Sequence, residues 1–354
     1  MDTPAPSQAT SRYGVFLFAP FARKCRLAMR LYSREGIFAV LGELLFYLSS
    51  PVISLYEAAT WWWYRMRGRE SFTVLGHQIG ILPKDSGISR ELALYRTHEP
   101  LATQLLLKTL TPGMNVVDVG SNIGYYALLE ARSIGPQGRV IAIEPVQENA
   151  RQLDRNIAAN NYDNILVHHL AIANRNGTAT INISAKSNWH SLAPPPWPST
   201  KRQVAVSTLD SLLKQLSPQR VDLLRMDIEG YEVVVLEGML WVLETYHPRL
   251  LIELHPHIIG HQAILDYLSC LKHLDYEVEW VIEQERDVPI RWRFLKPENP
   301  TMSGLMKDPR IWEDPRALTV LFSRRFASSC ARPECQVVPD SSRELRSDNH
   351  RVSP

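Results

Sequence analysis

The chain has 354 residues, 39 Lys plus Arg against 37 Asp plus Glu, and a formal net charge of +2. Apolar residues at 45% and charged residues at 21% sit near the globular average, which excludes a disordered, collagenous or multi-spanning membrane chain. The charge balance removes the broad cationic field that nucleic-acid binders use, so no nucleic-acid partner is expected. The length suits two domains at most, or one α/β domain of about 250 residues with appendages. Cys25, Cys270, Cys330 and Cys335 form neither a CxxC pair nor a dense framework, which points to a reducing, cytoplasmic setting without structural zinc or disulfides.

The N-terminal part is basic and then apolar. Between Arg12 and Arg34 lie six basic residues and no acid, and Ile37 to Tyr64 carries only Glu43 and Glu57 as charges. The apolar stretch begins too late for a cleavable signal peptide, and no small-residue cleavage pattern follows it. Pro51, after Ser49 and Ser50, is expected to break a helix there, leaving two apolar segments of about 13 residues where a membrane span needs about 20. Three readings follow, in this order: a helical lid packed on the domain, an interfacial membrane anchor with Trp61, Trp62, Trp63 and Tyr64 at headgroup level, and a single tilted span. Glu43 and Glu57 would be costly in lipid and Arg65, Arg67 and Arg69 make both flanks basic, which puts the lid first. The chain thus divides into residues 1–70, a helical lid or membrane-peripheral segment; 71–326, the main domain; and 327–354, a tail expected to be disordered for want of apolar content.

From Ser71 onward strand and helix patterns alternate, the mark of a parallel sheet built from βαβ units. The spacing predicts a strand over Met114–Val119, a helix over Asn122–Ser133, a strand over Arg139–Ile143, a helix over Glu148–Ala159 and a strand over Asn164–His168. Two short strands, Thr178–Ser184 and Val204–Val206, flank a Pro-rich loop. A helix over Thr208–Leu216 follows, then strands over Val221–Met226, Leu250–Leu254, Glu277–Val281 and Ala317–Phe322. Setting the two loop strands aside, roughly seven strands form the core of the sheet.

Val116-Val117-Asp118-Val119-Gly120-Ser121-Asn122-Ile123-Gly124 is a buried strand running into a glycine turn that opens a helix, the place where α/β sheets receive ligands. A dinucleotide fingerprint would carry glycine where Asn122 stands, so close phosphate approach is not provided for and a nucleoside ligand without phosphates, S-adenosylmethionine, is favoured over NAD. The next strand ends in Ile143-Glu144-Pro145. Glu144 lies 24 residues beyond Gly120, near the spacing at which an acid binds ribose hydroxyls.

These stretches, with Asp85-Ser-Gly-Ile-Ser-Arg-Glu91, Arg225-Met-Asp-Ile-Glu-Gly-Tyr-Glu232 and Leu251-Ile-Glu-Leu-His-Pro256, resemble the FkbM-type S-adenosylmethionine-dependent methyltransferases of the class I, Rossmann-like group. The resemblance covers about Phe72 to Phe322. It implies a seven-stranded, mostly parallel sheet with helices on both faces and an antiparallel last strand. It also implies one bound S-adenosylmethionine and methyl transfer, usually to a hydroxyl of a sugar or secondary metabolite. Carried over, Asp118 and Gly120 would hold the methionine end, with Asn122 and Gly124 in the same turn; Glu144 would hold the ribose; and Ala171 would border the adenine.

Asp227 and Glu229 place two carboxylates at the same sheet edge, able to bind the sulfonium region or orient an acceptor hydroxyl; the plainer alternative is helix capping. His255 ends the next strand and is a candidate general base, with His190 in reserve on the loop Ser187–Pro198. Asp227, Glu229 and Glu253 have the chemistry of a magnesium site, but capping and hydrogen-bonding roles are preferred and no metal is expected. The alternatives kept open are an NAD-dependent oxidoreductase on the same fold and a non-catalytic, membrane-associated binding module.

Overall fold

The structure, a computed structural model, describes residues 32, 36–283, 296–313 and 317–325. The basic run from Arg12 to Arg34, the side chain of Glu43, the tail 327–354 and Cys25, Cys330 and Cys335 lie outside the described residues.

A single helix, α1 (Ile37–Met66), leads into a hairpin of β1 (Ser71–Val74) and β2 (His77–Gly80), then α2 (Ile88–Tyr95) and α3 (Pro100–Thr109). The main sheet follows in βα units: β3 (Asn115–Val119), α4 (Tyr125–Ile134), β4 (Arg139–Ile143), α5 (Gln147–Ala159) and β5 (Ile165–His168). A small side sheet, β6 (Ala171–Ile172), β7 (Gly177–Ile183) and β8 (Thr200–Ser207), comes next, and α6 (Leu209–Leu216) returns the chain to β9 (Leu223–Met226). The rest is α7 (Glu232–Leu236), α8 (Leu240–Tyr246), β10 (Arg249–Leu254), α9 (Pro256–Ile259), α10 (His261–His273), β11 (Tyr276–Glu283), α11 (Met302–Leu305), α12 (Arg310–Glu313) and β12 (Leu318–Arg324).

The seven-stranded sheet has the order β11-β12-β10-β9-β3-β4-β5. Strands β5, β4, β3, β9 and β10 run parallel, and β12 is antiparallel to both β10 and β11, so the α/β class and the reversed last strand are as the resemblance implied. The order explains the composition of the central strands. Helices cover both faces, so β3 and β9 read as near-continuous apolar runs. Val117 and Val119 of β3 join one core with Leu212, Val242 and Leu268, while Val116 joins the other with Leu128 and Leu129. Helix α10 buries Ile264, Tyr267, Leu268 and Leu271, one stripe at helical spacing.

Among the differences from the sequence reading, three have local reasons. Helix α4 starts at Tyr125 rather than Asn122 because Gly120, Asn122 and Gly124 all take left-handed backbone, which no helix can include. Strand β6 has two residues, too short to leave a periodic trace. And Pro51 does not break α1, which runs through it unbroken for 30 residues. Proline removes one ladder bond at a cost of about 3 kcal/mol. The docked end opposes that cost: Trp61 and Tyr64 pack on the core beside Phe72, and Glu57 accepts hydrogen bonds from Arg90 at 3.0 Å and from the Tyr95 hydroxyl.

Among the described side chains of α1, Glu57, Trp61 and Tyr64 meet the domain, whereas Leu48, Val52 and Leu55 are 69%, 71% and 72% exposed and none lines the ligand cleft. Among the described residues, no helix is long and apolar enough to cross a membrane.

Candidate functional site

Between β3 and β9 the strand order reverses direction, and the cleft of an open α/β sheet lies at that point. Gly120 (φ 88°) brings the two strand tips together: a Cβ there would fall 2.0 Å from the carbonyl oxygen of Asp227. The contact is backbone on backbone, so only glycine serves. Asn122 tolerates its left-handed conformation (φ 51°) as asparagine can, and its Oδ1 accepts from the Ile123 N–H at 2.8 Å.

The two turns open into a cleft whose empty space, the open solvent at its mouth included, is about 780 Å³. Gly120, Asn122, Glu144, Ala171, Asp227 and Glu229 all line it, although they come from four separate stretches of chain. Asp118, Gly124 and His255 do not.

Glu144, at the end of β4, is held by backbone. Its Oε2 accepts from the Asn122 N–H at 2.9 Å, and its Oε1 from the Val146 N–H at 2.9 Å. Burial pushes its carboxyl up to about 7, with the two amides pulling the other way. The side chain therefore ties the glycine turn to the start of α5 while facing the cleft, and a carboxylate retains further lone pairs for a ligand.

Asp118 lies beneath the cleft rather than on its wall. Fully buried, it accepts from Arg225 Nη1 at 2.8 Å. Arg225 also reaches Asp227 Oδ2 at 3.3 Å and stacks its guanidinium 3.9 Å from the Tyr126 ring centroid. The sequence reading gave Asp118 a direct ligand role; the structure makes it the partner of a buried arginine. An arginine within the apolar run Leu223-Leu224-Arg225-Met226 was the available signal, since a charge inside a parallel strand needs a buried partner.

The turn after β9 holds the acidic edge. Glu229 (φ 55°) and Gly230 (φ 93°) are consecutive left-handed residues, and for glutamate that conformation stores about 1–2 kcal/mol. Burial pushes the Glu229 carboxyl up to about 8, with His255 opposing. His255 sits behind it: Nε2 is 3.2 Å from Glu229 Oε2 but off the hydrogen-bonding direction, and Nδ1 is 3.0 Å from Glu232 Oε1. Glu232 in turn accepts from the Gly230 N–H at 3.1 Å. Burial disfavours the imidazolium, but Glu229 and Glu232 on its two sides outweigh that and raise the His255 pKa well above the ordinary value. Glu232 was quoted in the motif without a role, because the contact across 23 residues is tertiary.

Donor atoms of Asp227, Glu229 and His255 lie within 4.8 Å of one another. Arg225, 3.3 Å from Asp227 Oδ2, places a positive charge beside this cluster, and the flanking carboxylates favour the protonated form of His255. The neighbouring Glu253 is likewise pushed up, by burial first and then by Asp227 and Glu99.

His190, the reserve base, does line the cleft. Its Nδ1 accepts from the Ser184 N–H at 3.0 Å, which leaves the ring proton on Nε2, and burial lowers its pKa to about 4. It is a neutral donor, not a base at neutral pH. The loop that carries it is pinned at two points. Ser187 donates through N–H and Oγ to Asp85, both at 2.7 Å, and Ser191 Oγ donates to the Glu229 carbonyl at 2.7 Å. Asp85 thereby fixes the cleft rim.

Comparisons with known proteins place the domain that carries this arrangement. Residues 118–278, which contain both turns and His255, match the methyltransferase FkbM domain model. Residues 118–278 of this chain are an FkbM methyltransferase domain. The FkbM match leaves out α1 and the Asp85 turn. Methyltransferase 1 of Beauveria bassiana is 27% identical over 144 residues, covering 35% of this chain and 57% of that protein. Protein-L-isoaspartate O-methyltransferase 1 of Arabidopsis thaliana is 42% identical over 59 residues, covering 17% of this chain and 26% of that protein. The matched part thus spans about half the length of one relative and a quarter of the other. A solved FkbM methyltransferase from Methylobacillus flagellatus KT is 15% identical, covers 66% of this chain and 53% of its own, and superposes with a TM-score of 0.37.

Proposed function

We propose that this protein transfers the methyl group of S-adenosylmethionine to a hydroxyl oxygen of a sugar or similar small metabolite. One observation carries the reading: Gly120, Glu144 and Asp227 converge on a single cleft at the strand-order switch, each in a form that suits this ligand. Gly120 leaves room where a Cβ would collide, Glu144 offers a carboxylate for ribose hydroxyls, and Asp227 Oδ1 is buried with no partner of its own, fit for a cationic group. Ala171, Ile172 and Ile181 supply an apolar wall for the adenine.

When bound, S-adenosylmethionine supplies an activated electrophilic methyl, so the chain's own task is to place an acceptor oxygen in line and accept its proton. Glu229 takes the proton. It faces the cleft, and burial has raised its pKa to about 8, where a carboxylate is a far better base than in water. His255, assigned as the base from sequence, serves instead to position Glu229 from behind, itself oriented by Glu232. Asp227 stays with Arg225 and the cofactor's positive end.

The test is calorimetric titration of the purified chain with S-adenosylmethionine and with NAD, followed by a screen of hydroxylated acceptors for methyl incorporation. Binding of S-adenosylmethionine alone, with transfer to an alcohol oxygen, is the expected result. NAD binding would move an oxidoreductase to first place, and binding of neither would leave a non-catalytic module.

A further inference from the structure

Helix α1 has two faces. On one, Glu57, Trp61 and Tyr64 meet the domain. On the other, Leu41, Leu44, Leu48, Val52, Leu55 and Trp62, all exposed, fall within about 80° of the circumference at 3.6 residues per turn. That stripe lies opposite the docked side and runs from Leu41 to Trp62, about 32 Å of a 30-residue helix. Isolated exposed leucines are ordinary, but a continuous apolar stripe of this length marks a binding surface.

We propose that this outward stripe seats the protein on the surface of an anionic lipid bilayer, with α1 lying in the interfacial plane. Charge decides between lipid and a second copy of the chain. At the C-terminal end Arg65, Arg67 and Arg69 are all exposed, and Arg67 stacks 5.3 Å from the centroid of Trp63. The sequence leading into the other end carries six basic residues and no acid between Arg12 and Arg34. A parallel pair of α1 helices would set like charges side by side at both ends, and an antiparallel pair would set one basic end against the other. Anionic headgroups satisfy both ends at once. Trp62, Trp63 and Tyr56 on the outward side have the amphipathic rings that settle at headgroup depth. The docked end fixes the helix flat: Glu57, Trp61 and Tyr64 cannot leave the domain for a spanning orientation without breaking their contacts. The proposal does not depend on the chemistry of the cleft.

Co-sedimentation of the full chain with phosphatidylcholine vesicles, with and without phosphatidylserine, tests it. The native chain is expected to pellet with the phosphatidylserine vesicles and to be released by high salt. Replacing Arg65, Arg67 and Arg69 together by Gln should weaken binding roughly 100-fold, at about fivefold for each arginine near the surface. The double variant Leu48→Glu with Leu55→Glu should abolish binding while its melting temperature is unchanged, because both side chains are already exposed. Failure to pellet with anionic vesicles, or undiminished binding by the double variant, overturns the proposal. So does a concentration-dependent dimer in sedimentation velocity that the double variant loses, which would make the stripe a self-interface.

Discussion

Replacing Glu144 by Gln separates its two duties. In the folded chain one carboxylate oxygen accepts from the Asn122 N–H and the other from the Val146 N–H, each at 2.9 Å. Glutamine keeps the shape but has a single acceptor oxygen, so its NH₂ must face one of those amides and leave it unsatisfied. An orphaned buried donor costs about 1–3 kcal/mol, and at about 2–4 °C per kcal/mol for a domain of this size the melting temperature should fall by about 2–12 °C. The same change removes the charged acceptor for the ribose hydroxyls. Hydrogen bonds to a charged group contribute about 1.5–3 kcal/mol each, so S-adenosylmethionine should bind at least about tenfold more weakly, measured by calorimetry. pH adds a second signature. With the carboxyl pushed to about 7, the ionised fraction rises from about one-tenth at pH 6 to about nine-tenths at pH 8, and affinity should rise by up to about tenfold over that interval. Stability moves the opposite way: the folded state holds this proton more tightly than the unfolded chain, so the contribution from Glu144 is greatest at low pH and declines as pH rises from about 4.5 to about 7. The Gln variant should lose the pH dependence of binding. Unchanged affinity in that variant, with the expected loss of melting temperature, would refute the ribose contact and leave Glu144 as a purely structural tie.

Three further outcomes follow from the same geometry. Gly120→Ala forces a Cβ to 2.0 Å from the Asp227 carbonyl at φ 88°, so a loss of about 3 kcal/mol or more is expected in thermal melts, and a shift of only a degree or two would contradict the backbone contact. Glu229→Gln should lower turnover about 10²- to 10⁴-fold with S-adenosylmethionine affinity intact, and the native rate should climb with pH through about 8, where Glu229 ionises; a flat profile between pH 6 and 9 would remove it as the base. Magnesium or a chelator should leave both melting temperature and turnover unchanged, since Arg225 already sets a positive charge against Asp227; stabilisation by magnesium that is lost in Asp227→Asn would establish a cation site instead.

The sheet was legible because its strands are short apolar runs closed by turn residues, and helices on both faces make such runs the rule. The cleft was legible for a related reason: Gly120, Glu144 and Asp227 follow their strands at the same edge, so order along the chain fixes their convergence. What sequence spacing cannot carry is which side of a turn a side chain occupies. Glu229 and His255 both end up at that edge, yet two left-handed residues turn Glu229 into the cleft while His255 is held behind it by Glu232. Helix α1 failed for a different reason. A proline inside an apolar stretch reads as a stop, and the packing of Trp61 and Tyr64 that opposes it belongs to the hairpin, not to the segment.

The distribution of charge under the cleft bears on the direction of the reaction. Asp118, Asp227, Glu229 and Glu253 gather at the ends of three adjacent strands, and Arg225 and His255 are the buried cations set among them. Arg225 is committed to Asp118 and Asp227 and His255 to Glu229 and Glu232, while burial favours the proton on Glu229 and Glu253, so the carboxylates that face the cleft are Asp227 and, once ionised, Glu229 and Glu144. On the proposed reading, the sulfonium of S-adenosylmethionine enters their field as a positive charge, and methyl transfer abolishes it. The product therefore loses an attraction that the substrate has, which favours product release. The proton delivered to Glu229 at the same time removes one negative charge from the cleft, so the two changes compensate. A cleft whose acceptor group has a pKa near 8 suits a reaction that consumes a cation and liberates a proton in one step.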